Sequence, residues 1–170
     1  MEQKLNFQQK RFMKYLFTLF AISLLVMCTS QKNPDTITAV EYKSGACFGF
    51  CPIYKMKINA DKTAIFEAER FNFSRDTDSQ QNEGNFKGTI DSETYSELMG
   101  KFAALKAKNL KNYYGNKNVT DLPTAYLTIT YADGTVKKIE DYGKRGTPEL
   151  QKLYEFFDGL RTSQTWTKIE

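Results

Sequence analysis

The sequence contains no histidine among its 170 residues. This absence excludes Ser-His-Asp and Cys-His catalysis, histidine-ligated zinc and a haem held by a proximal histidine. A general acid or base would have to be a carboxylate, a lysine or a tyrosine. The two close carboxylate pairs, Glu67 with Glu69 and Glu140 with Asp141, have no neighbours that suggest a hydrolase site. We therefore predict no catalytic residue, no metal ligand and no cofactor.

A concentrated block of positive charge is also lacking. The formal charge is +4, but residues 1–27 hold four basic residues and one acidic residue, which leaves +3 there. The remaining 20 basic and 19 acidic residues give only +1. This distribution gives no argument for a nucleic-acid partner, which needs a concentrated basic face. Hydrophobic residues make up 41% and aromatic residues 14% of the chain, enough for the core of one domain.

No apolar run has the roughly 20 residues that a membrane-spanning helix needs. The longest, residues 15–27, has 13 residues and follows Lys10, Arg11 and Lys14, as in a secretory signal. Leu25 lies three residues before Cys28, and polar residues follow. This stretch resembles a bacterial lipoprotein signal, with Met1 or Met13 as its start. The resemblance implies a lipidated Cys28 and an exported domain anchored to the membrane; the alternative is an uncleaved anchor with an unmodified thiol.

The patterns after the leader predict an α+β fold. Alternation in the segment 54–59 predicts a half-buried strand that forms a hairpin with residues 63–70. Phe71 and Phe73 fall out of phase with Phe66, which predicts a bulge or bend near Arg70. A second hairpin turns at Asp133-Gly134. Helices are predicted after the caps Asp91 and Thr147, each with one apolar face. We expect a signal peptide at 1–27, a tether at 28–35, one domain at 36–163 with two helices on one face of a mainly antiparallel sheet, and a tail at 164–170.

Cys47 and Cys51 flank the segment Phe48-Gly49-Phe50. In an extended chain their Cα atoms would lie roughly 13 Å apart, whereas a disulfide needs about 4.4–6.8 Å. A disulfide would therefore require the chain to turn between them, as Gly49 permits. A structural disulfide would stabilise the fold by roughly 2 kcal/mol. The alternative is a redox-active or copper-binding pair of thiols.

The spacing Cys-x-x-x-Cys-Pro resembles the copper-site motif of extracytoplasmic copper-delivery proteins that assemble cytochrome oxidase. Those proteins add a distant histidine on a thioredoxin-like fold. This chain has no histidine, and a strand pattern, not a helix, follows Pro52.

A second resemblance covers roughly residues 36–163. An uncharacterised bacterial extracytoplasmic domain family, often found behind a lipoprotein leader, is similar to this chain in three segments. These are the signature Cys47-Phe48-Gly49-x-Cys51-Pro52-x-Tyr54 and the segments 121–124 (Asp-Leu-Pro-Thr) and 147–150 (Thr-Pro-Glu-Leu). The resemblance implies the architecture and a cell-envelope location, periplasmic or cell-surface, and no catalytic residues. We expect a non-enzymatic binding or structural module with an unidentified envelope partner. An inhibitor-like use of the open sheet face is a further alternative.

Overall fold

The computed structural model describes residues 33–73, 83–116 and 118–169. The predicted leader and Cys28 lie outside these ranges. Eight strands and two α-helices are described, and a single 3-10 turn, Ala107–Asn109, follows the first helix. The strands are β1 (Ile37–Ser44), β2 (Ile53–Asn59), β3 (Thr63–Arg70), β4 (Gly84–Thr89), β5 (Tyr113–Tyr114), β6 (Thr124–Tyr131), β7 (Val136–Tyr142) and β8 (Thr167–Ile169). The helices are α1 (Ser92–Leu105) and α2 (Pro148–Ser163).

All eight strands belong to one open sheet, in the order β5-β7-β6-β1-β2-β3-β4-β8. Every described pairing is antiparallel except that of β5 with β7. The two hairpins, β2–β3 and β6–β7, are joined through β1, which pairs with the first strand of each. This arrangement confirms the predicted α+β class with a mainly antiparallel sheet.

Both helices start where their capping residues predict. The Asp91 carboxylate accepts hydrogen bonds from the backbone N–H groups of Glu93 (3.0 Å) and Thr94 (2.9 Å). The Thr147 hydroxyl accepts one from the N–H of Leu150 at 3.2 Å, and proline occupies the first turn of α2. Such caps satisfy backbone donors that have no partner inside the helix.

The core lies between the two helices and one face of the sheet. Tyr54, Met56 and Ile58 alternate along β2 and are all buried, as the sequence predicts. The apolar faces of α1 and α2 pack into the same cluster, through Leu98, Phe102, Leu105, Leu150, Leu153, Tyr154, Phe157 and Leu160. The opposite sheet face is polar, and Lys55 and Glu67 form an ion pair across it at 2.7 Å. Amphipathic strands of this kind cover the core on one side only.

A bulge interrupts the pairing of β2 with β3, as predicted near Arg70. Ile53 pairs with Arg70, but the next residue, Tyr54, pairs with Ala68. An extra residue in one strand bends it and re-aims the side chains that follow. The backbone of Phe71 then takes a φ of +60°. The bulge therefore turns Phe71 out of the strand alternation.

The segment after α2 returns to the sheet. The Trp166 indole N–H donates to the Leu160 carbonyl at 3.2 Å, and its ring lies 5.1 Å from that of Phe66. Thr167–Ile169 then pairs with β4 as an edge strand. Part of the predicted tail, residues 164–170, thus belongs to the sheet. None of the helices in the described ranges has both the length and the apolar character needed to cross a bilayer.

Candidate functional site

The loop between β1 and β2 is closed by a disulfide. Cys47 and Cys51 are bonded, with their Cα atoms 5.7 Å apart. Gly49 turns the chain with a φ of +131°, a backbone conformation that residues other than glycine rarely adopt. The two aromatic side chains of the loop point into solvent: Phe48 is 88% exposed and Phe50 is 63% exposed. The disulfide therefore holds two large apolar groups outside the core.

The loop is fixed to a second segment of the chain. The Gly45 N–H donates to the Thr124 carbonyl at 2.8 Å, and the Phe48 N–H donates to the Asp121 carbonyl at 3.2 Å. The segment 121–124, which leads into β6, therefore runs beside the disulfide loop. Two motifs that are far apart in the sequence meet at this end of the sheet.

A third aromatic ring extends the exposed pair. The rings of Phe50 and Phe71 are 5.3 Å apart in an edge-to-face arrangement, a favourable geometry for aromatic pairs. The Arg70 guanidinium lies over the Phe71 ring, 5.7 Å from its centroid. We call Phe48, Phe50 and Phe71 the aromatic surface. Arg70 gives its edge a positive charge.

Tyr54 ties the start of β2 to α2. Its hydroxyl donates to the Asp158 carboxylate at 2.5 Å. Burial raises the pKa of Tyr54 well above its usual value, and the neighbouring Tyr42 and the Asp158 carboxylate add to this effect. Since the hydroxyl stays protonated, it serves as a hydrogen-bond donor to the carboxylate.

Two cations complete the surroundings of Asp158. The Lys144 ammonium lies 3.7 Å from one carboxylate oxygen and the Arg161 Nε lies 3.9 Å from the other. Their side chains are only 19% and 14% exposed, whereas that of Asp158 is 36% exposed. Lys144 also donates to the Ser44 hydroxyl at 2.9 Å. We call Tyr54, Lys144, Asp158 and Arg161 the Asp158 cluster.

Burial lowers the pKa of Lys144, although the Asp158 carboxylate opposes the shift. The lysine has a positive φ of +55°, and the turn that carries it is held by the buried Asp141. The Asp141 carboxylate accepts from the N–H groups of Arg145 (3.1 Å) and Gly146 (2.8 Å). The turn is therefore a fixed support for the lysine.

A protein-family model matches residues 38–161, and its description is a domain of unknown function, DUF6438. The chain belongs to this family. The match includes the disulfide loop, the segment beside it and the Asp158 cluster. No curated protein matches the sequence. Membership of the DUF6438 family assigns no activity to these residues.

The groups of the Asp158 cluster contact one another within this DUF6438 domain. Within residues 33–73, 83–116 and 118–169, no group of three or more Cys, Asp or Glu side chains could hold a metal ion. Met56, whose thioether could otherwise serve as a soft metal ligand, is fully buried in the core. The Asp158 carboxylate accepts a hydrogen bond from Tyr54 and faces Lys144 and Arg161. It therefore links β2, α2 and the turn after β7. The arrangement suits the rigid presentation of a surface.

Sequence reasoning identified the disulfide loop and Tyr54 but missed Phe71, Lys144, Asp158 and Arg161. Asp158 and Arg161 are polar positions on an amphipathic helix, where a solvated face is the usual explanation. The predicted bulge was the one sequence signal that pointed to an altered direction for Phe71. Only the packing of α2 against β2 brings Asp158 and Arg161 to Tyr54.

Proposed function

We propose that this chain is a lipid-anchored, non-enzymatic binding module of the cell envelope, which holds a protein partner through the aromatic surface. The observation that carries the proposal is the exposure of Phe48 and Phe50 in a loop closed by a disulfide. The leader pattern and the polar residues after Cys28 support the anchor and the exported location. The loop disulfide is in keeping with an oxidising compartment.

The aromatic surface has the properties of an interface anchor. Aromatic and arginine side chains are enriched among the residues that dominate binding energy. A closed loop loses little conformational freedom on binding, so more of the contact energy appears as affinity. Arg70 at the edge of the surface favours a partner with an apolar pocket and an acidic rim.

Photo-cross-linking in intact cells tests the proposal. A photoreactive phenylalanine analogue at position 48 of the full chain places the probe on the most exposed ring of the loop. We expect one discrete cross-linked adduct in the membrane fraction, and we expect its loss when Phe50→Ser is added. The matched control is the same probe at position 136, because Val136 is half-exposed and lies at the start of β7. Equal adducts from both positions, or none from position 48, would refute the proposed surface.

Mass spectrometry of the membrane form tests the anchor separately. We expect an N-terminal peptide that begins at a lipidated Cys28. The Cys28→Ser chain should keep its leader and lose the lipid mass. An intact leader with an unmodified Cys28 in the wild type would exclude the anchor.

A thiol-exchange or copper-handling role is the second candidate, and one observation favours it. Cys47 and Cys51 are both partly exposed, so a thiol or a metal carrier could reach them. Titration of free thiols in the folded protein under graded reductant distinguishes the two functions. A bridge that resists mild reductant supports the binding module. Reversible reduction, or Cu(I) binding that Cys47→Ser abolishes, supports thiol chemistry.

A further inference from the structure

A groove lies at the C-terminal end of α1, beside the point where the tether enters the domain. Its volume is about 700 Å³, within the range of about 300–1,000 Å³ that is typical of ligand sites. The lining is mainly apolar, and its side chains include Ile37, Tyr95, Met99, Phe102, Ala103 and Tyr131. The groove shares none of its lining residues with the aromatic surface or the Asp158 cluster.

The rim of the groove carries charge at one end. Lys108 pairs with Asp35 at 2.5 Å and lies over the Tyr131 ring, 4.5 Å from its centroid. Lys106 follows the last residue of α1 and forms no ion pair with any residue that the structure describes. An apolar channel next to one uncompensated ammonium group is complementary to an amphiphile with an apolar chain and a phosphate.

The position of the groove in the chain identifies a source for such a molecule. Asp35 lines the groove and lies seven residues after Cys28. Seven residues span at most about 25 Å when fully extended. If Cys28 carries the anchor, the groove is therefore restricted to the neighbourhood of the bilayer surface, where phospholipids are the abundant amphiphiles.

The geometry points to a phospholipid-binding site in this groove, with one acyl chain along Met99, Phe102 and Ala103 and the phosphate at Lys106. The inference rests on the proposed membrane anchor, because the anchor supplies the proximity to lipid. The groove would give the domain a second contact with the membrane. That contact would leave the aromatic surface available to a protein partner.

Photolabelling with a phospholipid tests the site. The full chain is reconstituted into vesicles that contain a phospholipid with a diazirine in its acyl chain, illuminated and digested. We expect label on peptides that contain Met99 or Ala103. Ala103→Trp fills the groove from an exposed position of α1 and should lower this labelling about tenfold. The matched control is Ala104→Trp, an exposed neighbour outside the groove, which should keep the wild-type labelling.

The charge requirement has its own pair of variants. Lys106→Glu should weaken the labelling, whereas Lys152→Glu, an exposed change on α2, should not. Labelling that is absent from these peptides, or equal in Ala103→Trp and Ala104→Trp, would overturn the inference. The N-terminal peptide from the same digest reports lipidation independently. An unmodified Cys28 refutes the proposed anchor, whereas labelling that does not depend on position 103 refutes the groove.

Discussion

Two buried tyrosines that face each other allow a sharp test of the Asp158 cluster. Tyr42 and Tyr54 are both fully buried, and their rings meet edge to face at 5.6 Å. The Tyr54 hydroxyl donates to Asp158 at 2.5 Å. Among the residues that the structure describes, the Tyr42 hydroxyl has no partner with hydrogen-bond geometry, although it lies near Ser44. Tyr54→Phe removes a hydroxyl group that has a hydrogen-bond partner, whereas Tyr42→Phe removes one that has none among the described residues.

The expected magnitudes follow from these contacts. A hydrogen bond to a charged group contributes about 1.5–3 kcal/mol. Because Asp158 is 36% exposed and keeps Lys144 and Arg161 beside it, we expect Tyr54→Phe to lower the unfolding free energy by about 1.5–2 kcal/mol. A buried hydroxyl without a partner is itself destabilising. Tyr42→Phe should therefore leave the unfolding free energy unchanged or raise it by up to about 1 kcal/mol.

Equilibrium urea denaturation of the full chain, followed by circular dichroism, measures both values. Within that experiment, Asp158→Asn serves as the partner variant of a double-mutant cycle, because it removes the charge that Tyr54 contacts. The effect of Tyr54→Phe should shrink in the Asp158→Asn background, and that of Tyr42→Phe should not. Equal destabilisation by the two tyrosine variants would refute the assignment of Asp158 as the link between β2 and α2.

Three further predictions concern the aromatic surface, two glycines and the pH dependence of stability. Phe50→Ser should change the unfolding free energy by less than about 1 kcal/mol, because the side chain is mostly exposed, while the partner cross-link from position 48 disappears. Gly146→Ala should destabilise the fold by about 1–3 kcal/mol in thermal unfolding, because the new Cβ would lie 2.7 Å from a carboxylate oxygen of the buried Asp141. Gly100→Ala, on an open part of α1, should instead stabilise the fold by about 0.5–1 kcal/mol. The reverse order of stability would contradict the packing described. The raised pKa of Tyr54 predicts a contribution to the unfolding free energy that is complete below the unfolded pKa of about 10. This contribution is lost as the pH rises above that value, by about 1.4 kcal/mol per pH unit. Denaturation curves should show a shallower loss in Tyr54→Phe, and an equal slope would argue against the burial of Tyr54 as a donor.

Three short segments that stand out in the sequence lie close together in the fold. The signature around Cys47 and Cys51 forms the loop, and the segment 121–124 supplies carbonyl groups that hold it. The third segment caps α2 through Thr147. That helix then delivers Asp158 to Tyr54, the last residue of the signature. The three segments therefore form one structural unit, which supports the aromatic surface.

The sequence by itself determined the class of fold and much of its detail. Alternation at Tyr54, Met56 and Ile58 predicted a strand with one buried face, because side chains along a strand alternate between faces. Asp91 and Thr147 predicted both helix starts, since capping depends on neighbours within the same turn. A bridge between Cys47 and Cys51, four residues apart, required a turn between them. These properties are local, so a short stretch of chain contains the information.

Only the tertiary structure decided which distant residues meet. The pairing of β1 with β6 places the segment 121–124 beside the loop, and the packing of α2 on the sheet brings Asp158 within reach of Tyr54, 104 residues away. The groove beside Asp35 also needs residues from the segment before β1, from α1 and from β6. The reason is physical: periodicity shows which face of an element is buried, but the register between elements depends on the packing of the whole core.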